Sequence, residues 1–457
     1  MLNRELAKNL ARQPGVEVTI QLPHYSEREK QEANDCRVSL ATPEPMPGFD
    51  SIRGLSFPKE DHDIDVVIGH GQKLGAPAQV IAKQRKCKRV HVVHTASEEL
   101  ALFKDGKTAL TKGEEKVRTE IDLCKEVDFV VAIGPKLKAA VSANLRWYGR
   151  DEDVINITPG IFWEFAKLEK ASQERKQFRI LVFGRGDSED FKLKGYDIAA
   201  KAVAGLEDKS YLLIFVGAPD GKEKEVKDEF LKCGIPSSQL IVRGFVESRD
   251  ALKRFFYEAD LAVMPSRTEG FGLTVLEALS AGLPILVSDN SGLGKAIKTI
   301  PFGRAFLVDS DNAEEWGKAI SRLRQTPRKY RLKEACFLRE AYDKKYKWET
   351  QCEKLVKKMR ACLAVEEGMG TGSHGGSDEQ VDVESENETE TESENDTDGE
   401  KEDVEVHEQV AELAGEEAME AESHGGSEEE IKEESDDQTE TQGADTEGQN
   451  DTEEESR

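Results

Sequence analysis

The stretch LAVMPSRTEGFGLTVLEALSAGLPILVS, Leu261 to Ser288, contains a strand, a glycine loop, a helix and a second strand. The two outer runs, Leu261–Pro265 and Ile285–Ser288, do not alternate with polar residues, which is typical of strands covered on both faces. The helix predicted between them, over Leu273–Ser280, is ended by the Gly-Leu-Pro that begins at Gly282. This order predicts a parallel sheet built from strand–helix–strand units.

The same pattern of apolar runs separated by helical segments extends outward from this stretch. The other runs are Val16–Leu22, Ile64–His70, Val90–Thr95, Phe129–Gly134, Val154–Thr158, Arg179–Phe183, Leu212–Gly217, Leu240–Gly244 and Ala305–Val308. A polar break near residues 163–177 divides the runs into two groups, so we expect an α/β protein with two Rossmann-like domains. The expected segments are an N-terminal domain over 1–165, a C-terminal domain over 173–330, a helical segment over 331–362 and a disordered acidic tail over 363–457.

Charge is distributed unevenly along the chain. The whole chain carries a net charge of −27, but the tail from Leu363 to Arg457 holds 37 acidic and three basic residues, so residues 1–362 carry +7. The tail has too few apolar residues to bury a core, and we expect it to be disordered and to suit a basic protein partner. The mildly basic body suits a phosphate-bearing small molecule, whereas the tail disfavours nucleic acid.

Cysteine usage and hydropathy indicate the compartment. The seven cysteines are scattered and form no Cys-x-x-Cys pair, which argues against a disulfide framework or a structural zinc site. No run approaches the roughly 18 apolar residues that span a bilayer, and the N-terminus lacks the apolar core of a signal peptide. We therefore expect a soluble, cytoplasmic protein without a transmembrane segment.

The glycine loop Glu269–Gly272 and the helix that follows it predict an anion site. The free N–H groups and the positive end of the helix dipole attract a phosphate, and the glycines let it approach the backbone. Glu269 precedes this site and Glu277 lies about one turn inside the helix. Two carboxylates beside a phosphate are unfavourable unless hydroxyl groups donate to them, which indicates a sugar or ribose. The alternative is an ordinary amphipathic helix with an exposed glutamate at either end.

Two further strand ends carry candidate residues. Gly184 and Arg185 end one buried run, and Lys194 precedes the next helix, so two cations lie where α/β folds bind ligands. Arginine and lysine both suit a diphosphate; Lys192 is an alternative to Lys194, and a solvated loop with incidental charges is the alternative to both. His94 follows the run that starts at Val90 and could contact a ligand from the first domain, although a lone histidine is more often structural.

The pattern from Glu269 to Glu277 resembles the Glu-x7-Glu motif of the family-4 retaining glycosyltransferases, which have the GT-B fold of two Rossmann-like domains facing across a cleft. The resemblance implies that Glu277 binds the nucleotide ribose and that Glu269 contacts the donor sugar. It implies catalytic roles for Glu269, His94, Arg185 and Lys194. It implies nucleotide-sugar binding by Gly184, Phe245, Val246, Gly270, Phe271, Gly272, Leu273 and Glu277.

The implied activity is transfer of a sugar from a nucleoside-diphosphate sugar to an unknown acceptor, with retention of configuration and without a metal or other cofactor. An Asp-x-Asp at Asp309 mimics a metal site but precedes a helical pattern, so we interpret it as a loop and helix cap.

The chain departs from the family at its start. The family's first domain opens with a strand and a Gly-Gly loop, whereas this chain opens inside the helix whose apolar stripe is Leu2, Leu6 and Leu10. Two explanations are open: an incomplete gene model, or a catalytically impaired nucleotide-sugar-binding pseudo-enzyme whose acidic tail mediates protein interactions.

Overall fold

The computed structural model describes residues 2–60, 63–95, 107–166 and 170–369. The predicted disorder of the acidic tail therefore lies, from residue 370 onward, outside the described residues.

The described helices are α1 (Leu2–Leu10), α2 (Glu27–Asn34), α3 (Ser51–Gly54), α4 (Gly71–Arg85), α5 (Lys107–Lys125), α6 (Pro135–Arg146), α7 (Ser188–Leu193), α8 (Tyr196–Gly205), α9 (Glu223–Lys232), α10 (Arg249–Glu258), α11 (Leu273–Ser280), α12 (Gly292–Lys298), α13 (Ala313–Gln325), α14 (Arg328–Lys345) and α15 (Trp348–Met369). The described strands are β1 (Val18–Gln21), β2 (Val38–Ala41), β3 (Val66–His70), β4 (Lys88–Val93), β5 (Phe129–Ile133), β6 (Val154–Ile157), β7 (Phe178–Phe183), β8 (Tyr211–Ala218), β9 (Leu240–Gly244), β10 (Leu261–Met264), β11 (Ile285–Ser288) and β12 (Leu307–Val308).

The strands form three parallel sheets. Strands β1 and β2 pair with each other, β3-β4-β5-β6 form a four-stranded sheet, and β12-β11-β10-β7-β8-β9 form a six-stranded sheet. This confirms the predicted α/β class with strands from the two halves in separate sheets. Strand β2 was not predicted, because its four residues include an exposed Ser39 and so lack a continuous apolar run.

The six-stranded sheet explains the apolar runs of the C-terminal half. Every residue of β8, β10 and β11 is buried, because helices cover both faces of the sheet. Strand β7 lies in the middle, with β8 on one side and β10 on the other. The strand order therefore reverses at β7, and α/β sheets bind ligands outside the carboxyl ends of the strands at such a point.

The C-terminal helices return to the N-terminal half. Helix α15 packs against α1, whose leucine stripe is buried as expected. The indole of Trp348 is buried beside Phe162, with ring centroids 6.2 Å apart. The phenolic hydroxyl of Tyr342 donates a hydrogen bond to the carbonyl of Pro159 at 2.8 Å. These contacts join the C-terminal helical segment, which consists of helices α14 and α15, to the residues that follow β6. The predicted domain boundaries stay a prediction.

Candidate active site

A cavity of about 290 Å³ lies at the carboxyl ends of β7 and β10, at the reversal of strand order. Its lining includes Ile133 and His94 from the four-stranded half. The predicted residues that line it are His94, Gly184, Arg185, Lys194, Glu269, Phe271, Gly272 and Leu273. The structure thus brings together residues that are as much as 179 positions apart in the sequence because the ends of parallel strands share one edge of a sheet.

Lys194 and Glu269 meet inside this cavity. The ammonium of Lys194 lies 2.5 Å from the Glu269 carboxylate, and each side chain is about one-fifth exposed. The position of Lys194 depends on Gly195, which has a φ of +67° and lies so close to Pro265 that a β-carbon would overlap the Pro265 carbonyl. The Lys192 side chain is exposed and does not line the cavity, so the structure favours Lys194 over Lys192.

Arg185 lies at the rim of the cavity. Its guanidinium is 75% exposed and lies 3.1 Å from the buried carboxylate of Asp190, which orients it. The Tyr196 hydroxyl donates to the Arg185 carbonyl at 3.2 Å, and burial raises the pKa of Tyr196 above its ordinary value. Tyr196 reaches this carbonyl because Gly184 has no β-carbon, which would otherwise overlap its hydroxyl. An exposed, oriented guanidinium suits a ligand phosphate.

The glycine loop is held between the two halves of the protein. Gly272 has a φ of +105° and precedes helix α11, whose observed bounds equal the predicted ones. A β-carbon on Gly270 would lie 2.7 Å from the carbonyl oxygen of His94. The Phe271 ring packs against Gly134 so closely that a β-carbon there would lie 2.5 Å from it. The loop therefore contacts the ends of both β4 and β5.

Glu277 is buried within helix α11 and does not line the cavity. Burial raises the pKa of its carboxyl from 4.5 to about 7, although Arg249 lowers it. Among the described residues no side chain donates a hydrogen bond to this carboxylate. Hydroxyl groups of a bound ligand could therefore donate to this carboxylate.

His94 forms a hydrogen-bonded pair with His70. His70 Nδ1 lies 3.0 Å from His94 Nε2, and the rings are nearly stacked, with an angle of 26° between them. Burial is the main cause that lowers the pKa of His70 to about 3 and that of His94 to about 4. Both rings are therefore neutral near pH 7. His91 lies apart from this pair, with its Nε2 2.6 Å from the Glu120 carboxylate.

Phe245 and Val246, which were predicted to bind the nucleotide sugar, are not among the residues that line the cavity. The Phe245 ring is 62% exposed, and Val246 packs partly against the hydrophobic core. An exposed ring on the loop after β9 leaves room for a stacked base, but the predicted role of both residues stays a prediction.

No cluster of three or more metal-ligating side chains occurs within the described ranges. The Asp-x-Asp sequence lies in the loop before helix α13, where the Asn312 side chain caps the helix by accepting from the Glu314 N–H at 3.0 Å. Asp311 is exposed and lies 3.9 Å from Arg267. The helices of the described part include none long and apolar enough to cross a membrane.

Two residues of the site were missed in the sequence. His70 ends a predicted strand, which is the same signal that identified His94. Lys136 carried no signal, because it is one lysine of a surface helix. In the structure its ammonium donates to Thr268 Oγ1 at 2.7 Å and to the Asn290 carbonyl at 2.9 Å. Lys136 therefore connects helix α6 to the residue before Glu269.

The arrangement of the sheets defines a two-sheet α/β protein with a cavity at the switch in strand order, and comparison with known proteins identifies its family. The model of a family described as family 4 glycosyltransferase in conflict systems matches residues 1–355. The chain belongs to this glycosyltransferase family.

Individual relatives are distant. The chain is 27% identical over 280 residues to a D-inositol 3-phosphate glycosyltransferase of Pseudarthrobacter chlorophenolicus, which covers 58% of this chain and 63% of that protein. It is 24% identical over 322 residues to the D-inositol 3-phosphate glycosyltransferase of Acidothermus cellulolyticus. This match covers 66% of this chain and 68% of that protein. The match thus spans less than two thirds of the first of these relatives.

Solved structures share the fold. A sucrose-phosphate synthase from Thermosynechococcus elongatus has a TM-score of 0.61 at 17% identity and covers 80% of this chain and 93% of its own. Anabaena HepE, in a complex with UDP and glucose, has a TM-score of 0.60 at 15% identity and covers 78% and 96%. These likenesses confirm the predicted GT-B fold.

Proposed function

We propose that this protein transfers a sugar from a nucleoside-diphosphate sugar to an acceptor, with retention of configuration and without a metal ion. The observation that carries the proposal is the convergence of Lys194, Arg185 and the glycine-rich start of helix α11 on one cavity. Two cations and free backbone N–H groups are suited to a diphosphate, and a carboxylate beside them is suited to sugar hydroxyls. HepE has been solved with UDP-glucose, so UDP-glucose is the first donor to test.

The free protein holds both cations on carboxylates, Lys194 on Glu269 and Arg185 on Asp190. A diphosphate competes for these cations because it carries more concentrated charge. When Lys194 turns to the phosphate, the Glu269 carboxylate becomes free to accept hydrogen bonds from the donor sugar. The Lys194–Glu269 ion pair thus supplies a cation for the diphosphate and a carboxylate for the sugar.

The ribose of the donor is assigned to Glu277. Its carboxylate has no hydrogen-bond donor among the described side chains, and a ribose diol supplies two. Hydrogen bonds from the two ribose hydroxyls to this carboxylate would place the nucleotide beside helix α11.

In the transfer step the bond between the anomeric carbon and the diphosphate oxygen breaks, and the acceptor oxygen bonds to the same face of that carbon. The acceptor proton passes to the departing diphosphate. Lys194, Arg185 and the N–H groups of the glycine loop stabilise the negative charge that develops on the leaving group. Positioning and electrostatic stabilisation are thus the protein's contribution.

Alanine substitutions test the donor site. We expect Arg185→Ala and Glu277→Ala each to weaken UDP-glucose binding, measured by calorimetry, by about tenfold or more, since a hydrogen bond to a charged group contributes about 1.5–3 kcal/mol. The release of UDP from UDP-glucose should fall as well. Arg146→Ala is a matched control, because Arg146 is also 75% exposed and also lies near an aspartate, 3.6 Å from Asp151.

Unchanged donor hydrolysis in both variants would contradict the proposal. Donor binding by the wild-type protein with no product from a broad acceptor panel would instead favour a non-catalytic role, for which the comparisons give no support. Binding of basic proteins by the acidic tail remains a proposal about residues outside the described part.

A further inference from the structure

His70 lies next to His94 but has no assigned role in the proposed donor site. His70 is the last residue of β3, and His94 is the first residue after β4. The two strands pair in parallel with His70 opposite Val92. Because alternate residues of a strand share a face, Val92 and His94 point the same way, which places the imidazole of His94 beside that of His70.

The hydrogen bond between the rings couples their tautomers. Each neutral imidazole carries one proton, so one ring donates and the other accepts across the 3.0 Å between His70 Nδ1 and His94 Nε2. If His70 donates, His94 carries its proton on Nδ1; if His94 donates, its Nδ1 is an acceptor. The hydrogen bond therefore couples the tautomer of His94 to that of His70, and with it whether His94 Nδ1 is a donor or an acceptor.

Only one of the two rings reaches the ligand cavity. His94 lines it, whereas His70 is not among the lining residues. The Nε2 of His94 is already engaged by His70, so Nδ1 is the ring nitrogen left for a ligand. The carbonyl of His94 also contacts the glycine loop at Gly270, which fixes its backbone.

We infer that His70 is a positioning residue that fixes the ring orientation and the tautomer of His94 for contact with the donor sugar. This inference rests on the proposed donor site. His70 acts through His94 and does not touch the donor, so its removal should affect turnover more than donor affinity.

The first test uses two substitutions at His70 and the hydrolysis of UDP-glucose. We expect His70→Phe to lower kcat by about 10- to 100-fold, the usual effect of losing a group that orients a functional imidazole, with KM changed less than about twofold. His70→Asn should recover much of the loss, since its amide can lie where Nδ1 lies and keep the bond to His94 Nε2. Equal activity of His70→Phe and the wild type would overturn the inference.

A double-mutant cycle shows whether His70 acts through His94. The variant with both His70→Phe and His94→Phe should be no slower than His94→Phe alone, because the second substitution removes a group that has nothing left to position. Losses that multiply would mean that His70 acts independently, which would also overturn the inference. His24→Phe, at an exposed histidine, is the control for imidazole loss and should change neither constant.

The tautomer itself is measured by nitrogen NMR of histidine-labelled protein. We expect the His94 nitrogens to show one tautomer in the wild type and in His70→Asn, and a mixture in His70→Phe. An unchanged His94 signal in His70→Phe would overturn the inference. This measurement requires no turnover, so it distinguishes failure of the His70 role from failure of the proposed function, which would appear as no UDP-glucose binding by the wild-type protein.

Discussion

Glu277 is a carboxylic acid held in an environment that favours its neutral form. Burial is the largest cause of its raised pKa, about 7 against an ordinary 4.5. The folded protein therefore binds this proton more tightly than the unfolded chain does. The resulting stabilisation is complete below pH 4.5 and is lost as the pH rises through 7. At neutral pH the protein thus keeps a costly buried acid, which is typical of a group retained for binding rather than for stability.

Glu277→Gln should reveal this cost as a pH-dependent gain in stability. Glutamine stays neutral at every pH. The free energy of unfolding of the variant minus that of the wild type should therefore increase by roughly 3 kcal/mol as the pH rises from 4.5 to 8, because one pKa unit corresponds to about 1.4 kcal/mol. Urea unfolding at several pH values measures the difference. A difference that does not vary with pH would be evidence against the raised pKa. Glu353→Gln, at an exposed position of α15, is the control.

At the scale of single elements, the two ends of helix α8 show how glycine positions the site. Gly195 precedes the helix with a positive φ and lies against the carbonyl of Pro265, which joins the Lys194 loop to the end of β10. Gly205 ends the same helix, and a β-carbon there would meet only open space. Of these two positions, only that of Gly195 requires glycine, because the Pro265 carbonyl leaves no space for a β-carbon.

Alanine substitutions at these two glycines should have opposite effects. Gly195→Ala should destabilise the protein by more than the roughly 1–2 kcal/mol of a left-handed backbone, because the new methyl group also displaces Pro265. Donor binding should weaken with it as Lys194 moves. Gly205→Ala should be neutral or stabilising by about 0.5–1 kcal/mol, since alanine suits a helix better than glycine. Thermal unfolding of both variants measures this, and equal melting temperatures would show that the contact with Pro265 is unimportant.

At the scale of the whole molecule, the four-stranded and six-stranded sheets are joined by contacts beside the cavity. Phe271 of the glycine loop fills the space left by Gly134 after β5, and Lys136 binds Thr268 and Asn290. The loop that carries Glu269 is thus held in place by the first half of the protein. Loss of these contacts should loosen the loop without unfolding either sheet.

Lys136→Met should increase hydrogen exchange in the glycine loop. The substitution keeps the aliphatic stem but removes the three donors that hold Thr268 and Asn290. Mass spectrometry should show faster exchange over residues 265–272 and unchanged exchange in β8, which is buried and separated from β10 by β7. Lys138→Met, at an exposed lysine of the same helix, should behave as the wild type. Equal protection of the loop in both variants would indicate that Lys136 does not restrain it.

The sequence alone determined the fold class and identified most of the predicted residues that line the cavity. Short, continuous apolar runs separated by helical patterns are typical of buried parallel strands. Helix α11 was predicted with its observed bounds because glycines define both of its ends. Glu269, Arg185 and Lys194 were identified because each follows a strand or precedes a helix, and such positions meet at one edge of a sheet.

Only the tertiary structure decided which of these residues meet. It selected Lys194 over Lys192, because the turn at Gly195 directs one lysine into the cavity and leaves the other in solvent. It paired His94 with His70 and connected Lys136 to Thr268, partners 24 and 132 residues apart. Contacts of this kind depend on the register of strands and the packing of separate elements, which the local periodicity of a sequence does not contain.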